Sequence, residues 1–149
     1  MNPDQALLRR YLAHPHTELA IDSNPLASAL RAKFLGRDDG IIRIGFTPSR
    51  EFLQGNGVVQ GGIVAAMLDL TAAFASLATL REGQTAATAS LSILFQAAVR
   101  AGPLIGTGFV ERAGRRLIFA RAQLQGEDGG ELLASAHTVM SVLEANKTP

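Results

Sequence analysis

The feature that most constrains this chain is a nearly unbroken apolar run from Gly61 to Leu80, GGIVAAMLDLTAAFASLATL. At 1.5 Å per residue such a run forms a helix roughly 30 Å long. Small residues occupy one broad face of this helix, and bulky residues fall on a narrow opposite stripe formed by Ile63, Met67, Leu70, Phe74 and Leu77. We predict that the bulky stripe packs on a sheet and that the small face admits a second backbone or a ligand.

One carboxylate, Asp69, interrupts the small-residue face. Because an unpaired buried carboxylate is costly, this side chain either reaches solvent, pairs with an arginine, or serves a site. The glycines that begin the helix, Gly61 and Gly62, favour a site, since they leave the first N–H groups accessible at the positive end of the helix dipole. A membrane-spanning helix is disfavoured because the run barely reaches the required length and carries a carboxylate near its middle.

Composition bounds the remaining possibilities. The 149 residues suit a single domain over 1–149, with a helical extension over 1–36 and a core over about 40–143. Apolar residues make up 47% and charged residues 18%, which favours a homo-oligomer. A net charge of +1 gives no nucleic-acid footprint, and the lack of cysteine excludes disulfides and thiolate metal sites. No metal or cofactor is expected, and the absence of an apolar signal region predicts a cytoplasmic protein.

The segments on either side of the long helix have different periodicities. Capping signals predict short surface helices over 3–13 and from Pro25 to Gly36. Alternation of period two predicts a strand from Ile41 to Phe46 and, after the long helix, four strands joined by hairpin or near-hairpin turns, over about 88–99, 104–112, 117–125 and 133–143. The polar tail that follows is expected to fray.

This order of elements predicts an α+β fold. One antiparallel sheet of five or more strands, wrapped round the long helix, gives the bulky stripe a surface to pack on. A single sheet covers only part of the helix. A second copy of the chain is therefore the expected cover for the rest.

A motif joins the loop before the helix to the helix itself: G-x-x-Q-G-G, then six residues, then L-D, at Gly57, Gln60, Gly61, Gly62, Leu68 and Asp69. It resembles the hotdog-fold acyl-CoA thioesterases, in particular the phenylacetate-degradation (PaaI)-like branch. The resemblance extends over about residues 40–143 and includes a strand with Thr88, Ser90 and Ser92. It implies a hotdog fold, hydrolysis of coenzyme A thioesters with an apolar or aromatic acyl group, and dimers that pair into tetramers.

The resemblance also implies roles for individual residues. Asp69 matches the carboxylate that acts as general base on water or as nucleophile. The Gly61 N–H matches the donor that polarises the thioester carbonyl, and Gln54 matches an amide that faces the site across a dimer interface. Asn56 and Gly62 are expected to contact substrate beside them.

The chain departs from the family pattern at two positions. Gln60 stands where the family usually has histidine, and an amide donates hydrogen bonds but does not shuttle a proton. Ala73 stands where some relatives carry a hydroxyl one turn after the carboxylate, and the nearest replacements are Thr88 and Ser90 on the next strand.

Arginines cluster around a predicted hairpin, and Arg115 and Arg116 lie at its turn. They are expected either to bind the phosphates of coenzyme A or to form an ordinary charged turn.

Two other functions stay open at this point. A non-catalytic module that binds acyl-CoA or lipid would fit the replacement of histidine by Gln60. A hotdog hydratase or dehydratase is less favoured, because that chemistry usually needs a histidine and no histidine lies near Asp69 in the motif.

Overall fold

The computed structural model describes residues 2–144; the tail that we expected to fray, 145–149, lies outside them. The helices are α1 (Pro3–Ala13), α2 (Pro25–Ala29) and α3 (Gly61–Leu77), with a 3-10 turn at Arg50–Phe52. The strands are β1 (Leu19–Ala20), β2 (Lys33–Asp38), β3 (Ile41–Phe46), β4 (Gln84–Phe95), β5 (Leu104–Ala113), β6 (Leu117–Gly126) and β7 (Leu132–Glu144).

All seven strands form one antiparallel sheet, in the order β1-β2-β3-β5-β6-β7-β4, and α3 packs on it. This arrangement confirms the predicted α+β architecture. The expected run of sequential hairpins is wrong in one place, because β4 pairs with β7 at one edge and the chain then crosses the sheet to place β5 beside β3. The long strand that follows α3 is therefore an edge strand.

The face of α3 that packs on the sheet agrees only in part with the one predicted. Met67 and Phe74 of the bulky stripe are buried, but Ile63, Leu70 and Leu77 are only half-buried. The other buried residues of the helix include Val64, Leu68, Thr71, Ala72 and Ala75. The packed face is therefore broader than the bulky stripe and is displaced toward small residues, because side-chain size alone does not indicate which strand the helix meets.

Two glycines of β5 explain this choice of face. A Cβ at Gly108 would lie 2.7 Å from the Thr71 carbonyl oxygen and 3.0 Å from the Ala75 Cβ, and one at Gly106 would collide with the Thr71 hydroxyl. Without those side chains, α3 approaches β5 closely enough for small residues to fill the gap. The buried Thr71 hydroxyl is satisfied by donating to the Met67 carbonyl oxygen at 2.7 Å.

The N-terminal segment contributes to the core, contrary to the expectation of surface helices. The bounds of α1 match the prediction, but the second helix ends at Ala29 because Arg31 adopts φ +50°, and Phe34 lies in β2. The ring of Tyr11 from α1 stacks on that of Phe34 with centroids 4.4 Å apart, and the Phe34 ring meets the edge of Phe74 at 5.1 Å. Helix α1 thus covers part of α3 and β2.

A bulge in β4 decides which of its side chains face α3. The pairing with β7 shifts by one residue between Thr88 and Ser90. Thr88 pairs with buried Met140 and shares the inner face with Leu91 and Ile93, whereas Ser90 pairs with Val139 on the outer face. Thr88 and Ser90, which were both expected to replace the hydroxyl missing at Ala73, therefore lie on opposite faces of the strand, and only Thr88 faces α3.

Candidate active site

The loop before α3 is folded by its own hydrogen bonds. The Gln54 N–H donates to the Val58 carbonyl oxygen at 2.8 Å, and the Gly57 N–H donates to the Gln54 carbonyl oxygen at 2.9 Å. Gly57 has φ +75°, a conformation that glycine adopts without strain. The Gln54 side-chain oxygen accepts from the Asn56 N–H at 3.0 Å, so the Gln54 Nε2 group is left to donate elsewhere.

The start of α3 is fixed from two sides. The N–H of exposed Gln60, the residue that caps the helix, donates to the Phe52 carbonyl oxygen at 2.9 Å. The Val59 N–H donates to the Val99 carbonyl oxygen at 2.7 Å, which ties the loop to the segment after β4. The Gln60 side chain makes no capping bond and so is available to a ligand.

The first two residues of α3 are exposed glycines that the fold does not require. A Cβ at Gly62 would meet nothing within 4 Å, and one at Gly61 would make ordinary contact, at 3.6 and 3.7 Å, with the ring of Phe95. Neither glycine has positive φ. The N–H groups of the first turn therefore lie open beside an aromatic ring that is itself 57% exposed.

Asp69 lies two turns further along α3 and is half-buried. Its Oδ1 accepts a hydrogen bond from the Thr88 hydroxyl at 2.8 Å. Within residues 2–144, no lysine, arginine or histidine nitrogen lies within 4.0 Å of its carboxylate, which removes the arginine-pairing alternative. The structure thus places a carboxylate, oriented by one hydroxyl, on the helix that begins with the open glycines.

The remaining predicted residues are not brought to this place. Ser90 faces the outer side of the sheet, and its carbonyl oxygen accepts from the Thr138 hydroxyl at 2.8 Å. Arg115 and Arg116 lie in the β5–β6 turn. Arg115 shares a cavity with Thr79 and Arg81, which follow the C-terminal end of α3. That end is about 25 Å from Gly61 for a helix of 17 residues.

Sequence reasoning missed Phe95 as a neighbour of the glycine pair. The available signal was an aromatic residue at the end of a strand whose inner face also carries Thr88. Recognising it would have required knowing that β4 runs back along α3.

Residues 2–144 contain no group of three or more histidine or acidic side chains placed to hold a metal ion. No helix in that range is long and apolar enough to cross a bilayer.

The structure defines a class of protein: a long helix wrapped by an antiparallel sheet, with accessible N–H groups at the helix start and a carboxylate at its middle. The family model described as the thioesterase superfamily matches residues 56–133, and the chain belongs to that superfamily. No curated protein matches the chain in sequence.

Solved structures similar to this chain share the hotdog fold. A phenylacetic acid degradation-related protein from Ralstonia eutropha is 28% identical with a TM-score of 0.77, over 91% of this chain and 98% of that one. A thioesterase from Haemophilus influenzae is 20% identical with a TM-score of 0.76, over 83% and 85%. The PaaI protein of the phenylacetic acid degradation operon of E. coli is 17% identical with a TM-score of 0.73, over 95% and 94%.

Proposed function

We propose that this protein hydrolyses acyl-CoA thioesters with an apolar or aromatic acyl group. Membership of the thioesterase superfamily supports thioester hydrolysis in general. The observation that carries the finer proposal is the Asp69 carboxylate, whose Oδ1 is held by Thr88 while Oδ2 takes no hydrogen bond from the described residues. A carboxylate oriented through one oxygen presents the other to a water molecule or to an electrophile.

The proposed reaction uses this carboxylate and the open start of α3. The thioester carbonyl oxygen accepts from the Gly61 N–H, where the helix dipole stabilises the negative charge that develops. Asp69 takes a proton from water as the water oxygen attacks the carbonyl carbon. The carbon–sulfur bond then breaks, and the proton passes to the departing thiolate. If Asp69 is instead the nucleophile, its carboxylate attacks the carbonyl carbon and the carbon–sulfur bond breaks, so that the thiolate leaves and a mixed anhydride forms. Water then hydrolyses the anhydride, which releases the acid and restores the Asp69 carboxylate.

These two groups cannot act on one carbonyl within a single chain. Gly61 and Asp69 are eight residues apart, or about 12 Å along the helix axis. The Gly61 N–H also points out of the helix start, away from Asp69. A second chain whose helix runs in the opposite direction would bring its own Gly61 beside this Asp69. We therefore propose that the site is shared between two subunits.

The edge strand β4 supports this assembly. It is 12 residues long and is paired on one side only, by β7, among the described residues. Its last residues, Leu94 and Phe95, are 68% and 57% exposed. An edge of this length readily pairs with a second strand, and antiparallel pairing of two β4 strands would set the α3 helices antiparallel. Pairing of such dimers into a tetramer, and a cytoplasmic location, stay predictions.

Three amide side chains of the loop before α3 are proposed to line the carbonyl position. Gln54 Nε2 and Gln60 are expected to donate to the substrate, with Asn56 at the loop tip and Gly62 leaving room for the acyl group. Because Gln60 does not titrate, it can orient or polarise the substrate but cannot relay a proton.

The chemistry is tested by thiol release from a panel of acyl-CoAs. Asp69→Asn should reduce kcat by at least a hundredfold, and Thr88→Val should reduce it less, with recovery in Thr88→Ser. Ser92→Ala, on the outer face of the same strand, is the matched control and should leave the rate unchanged. Full activity in Asp69→Asn would refute the role of the carboxylate, and saturable acyl-CoA binding without turnover by the unaltered protein would favour the non-catalytic binding module.

The shared site is tested by mixing two inactive variants, Asp69→Asn and Gly61→Val. Random pairing yields about half heterodimers, each with one intact site of two, so about one quarter of the original activity should return. A site contained within one chain would recover nothing on mixing.

A further inference from the structure

Thr138 places a buried hydroxyl on the apolar inner face of the sheet. This residue of β7 is 3% exposed, and its neighbours on the same face of the strand are Ala134, Ala136 and Met140. Burying a hydroxyl costs free energy unless it is hydrogen-bonded, and valine has nearly the same shape without that cost. Packing against these apolar neighbours therefore gives no reason for threonine at this position.

The other buried serine and threonine side chains of residues 2–144 bond within their own helix. Thr71 and Ser76 each donate to the carbonyl oxygen four residues earlier in α3, at 2.7 and 2.8 Å. The Thr138 hydroxyl instead bonds to the next strand, because its Oγ1 donates to the carbonyl oxygen of Ser90 in β4 at 2.8 Å. Its hydrogen bond thus joins two distant segments of the chain.

The acceptor of this bond lies at the bulge of β4. Thr88 pairs with Met140 and Ser90 pairs with Val139, so Ala89 is the extra residue and has no partner in β7. A bulge locally disrupts the ladder of backbone hydrogen bonds. The Thr138 hydroxyl adds a bond from β7 to the first paired residue after this disruption.

The strand has a regular alternative to this bulge. With the pairing after the bulge unchanged, an unbroken ladder would set Ala89 opposite Met140. Thr88 would then turn to the outer face, because a shift of one residue moves every side chain to the other face. Asp69 would lose the Thr88 hydroxyl, which is its one hydrogen-bond donor among the described residues. The bulge therefore brings Thr88 to Asp69.

We propose that Thr138 is a positioning residue for the Asp69 carboxylate. Its hydroxyl stabilises the bulge, the bulge turns Thr88 toward α3, and the Thr88 hydroxyl orients Asp69. The inference rests on the proposed function for the role of Asp69. It extends the machinery of the site to β7, one strand away from the edge at which the substrate is proposed to bind.

Acyl-CoA hydrolysis by Thr138→Val, Thr88→Val and the double variant tests this connection. Each single variant should lower kcat about tenfold through loss of one oriented hydrogen bond, while KM stays within about twofold because the groups assigned to substrate binding remain in place. The double variant should lose no more than the larger single loss, since residues that act as a unit are not additive. Thr138→Ser keeps the hydroxyl and should retain the rate.

Ser76→Ala is the matched control. It removes a buried hydroxyl that also donates to a backbone carbonyl oxygen at 2.8 Å, and it should leave kcat unchanged. Thr138→Ala removes the hydroxyl in a second way and should give the same loss if the valine variant does not fold. Full kcat in Thr138→Val, or losses that multiply to about a hundredfold in the double variant, would overturn the inference.

Nuclear magnetic resonance of methyl groups tests the register without any turnover. The unaltered protein should show a contact between the Thr88 and Met140 methyl groups, since residues directly opposite in a sheet have neighbouring side chains. Thr138→Val should replace this contact by one between Ala89 and Met140, and an unchanged contact would contradict the role of Thr138. If the unaltered protein hydrolyses no acyl-CoA, the proposed function fails, and the methyl contacts still decide whether Thr138 fixes the bulge.

Discussion

The variant Gly61→Ala should change stability and activity in opposite directions, because the structure tolerates a methyl group at this position. An added Cβ would contact the Phe95 ring at 3.6 and 3.7 Å, with no collision and with φ already in the range of other residues. Replacing glycine by alanine at such a position stabilises a protein by about 0.4–1 kcal/mol, chiefly by restricting the unfolded chain. For a domain of this size we expect Tm to rise by about 1–4 °C.

The same methyl group should impair hydrolysis. It would be attached next to the N–H that we assign to the thioester carbonyl, and would lie 3.6 Å from the Phe95 ring. Removal of an oxyanion donor costs about 100-fold to 1,000-fold in kcat, and displacing the carbonyl from a donor that remains should cost less. We expect Gly61→Ala to lose at least tenfold in kcat/KM, which corresponds to about 1.4 kcal/mol of transition-state stabilisation.

Thermal unfolding and acyl-CoA hydrolysis should be measured on the same preparations. Gly36→Ala is the matched control, since a Cβ there meets nothing within 4 Å, and it should leave activity unchanged. A Gly61→Ala protein that is more stable and fully active would show that this N–H does not touch the substrate.

Three further predictions concern single side chains. Phe95→Ala should shift the preference among acyl-CoAs toward larger acyl groups, whereas Leu94→Ala, on the outer face, should not; equal profiles would exclude Phe95 from the acyl slot. The rate profile of the unaltered protein should lack a step near the ordinary histidine pKa of about 6.5, and Gln60→His should introduce one. Burial raises the pKa of the Tyr11 phenol above its usual 10.0, with Arg37 and Arg43 opposing the shift. Above about pH 10 the unfolded chain loses this proton while the folded state keeps it. The free energy of unfolding is therefore highest below about pH 10 and declines as pH rises through the folded pKa. Urea unfolding of Tyr11→Phe should lack that decline.

Local patterns were sufficient to predict several elements. The bounds of α1 match those predicted from capping signals, and the strands predicted from alternation over 41–46 and 117–125 are present as β3 and β6. These features depend on residues close in sequence. The sequence does not distinguish Thr88 from Ser90 as the replacement for the hydroxyl missing at Ala73, whereas in the structure Thr88 donates to the Asp69 carboxylate and Ser90 faces away.

The errors arose where distant segments meet. Nothing near α3 in sequence indicates that Gly106 and Gly108 will lie against it, so side-chain size alone predicted the packed face only in part. The bulge before Ser90 shifts the pairing by one residue, and a slip of one residue moves a side chain to the other face of a sheet. Both features are set by pairings that cross the length of the chain.

Packing requires glycine at two positions of this chain but not at two others, and the sequence alone does not distinguish them. At Gly106 and Gly108 an added Cβ would strike α3, so packing alone requires glycine there, and alanine should destabilise the fold. At Gly61 and Gly62 the space is open and the backbone is ordinary, so packing gives no reason for glycine. Glycine at a helix start lowers stability relative to alanine, and a pair of such residues beside exposed N–H groups is best explained by a ligand that approaches the backbone there. Asp69 lies two turns away on the same helix and lacks a cationic partner among the described residues. The fold therefore gives no reason for a carboxylate at this position either. The proposed thioesterase site follows from these two departures from what the fold alone would select.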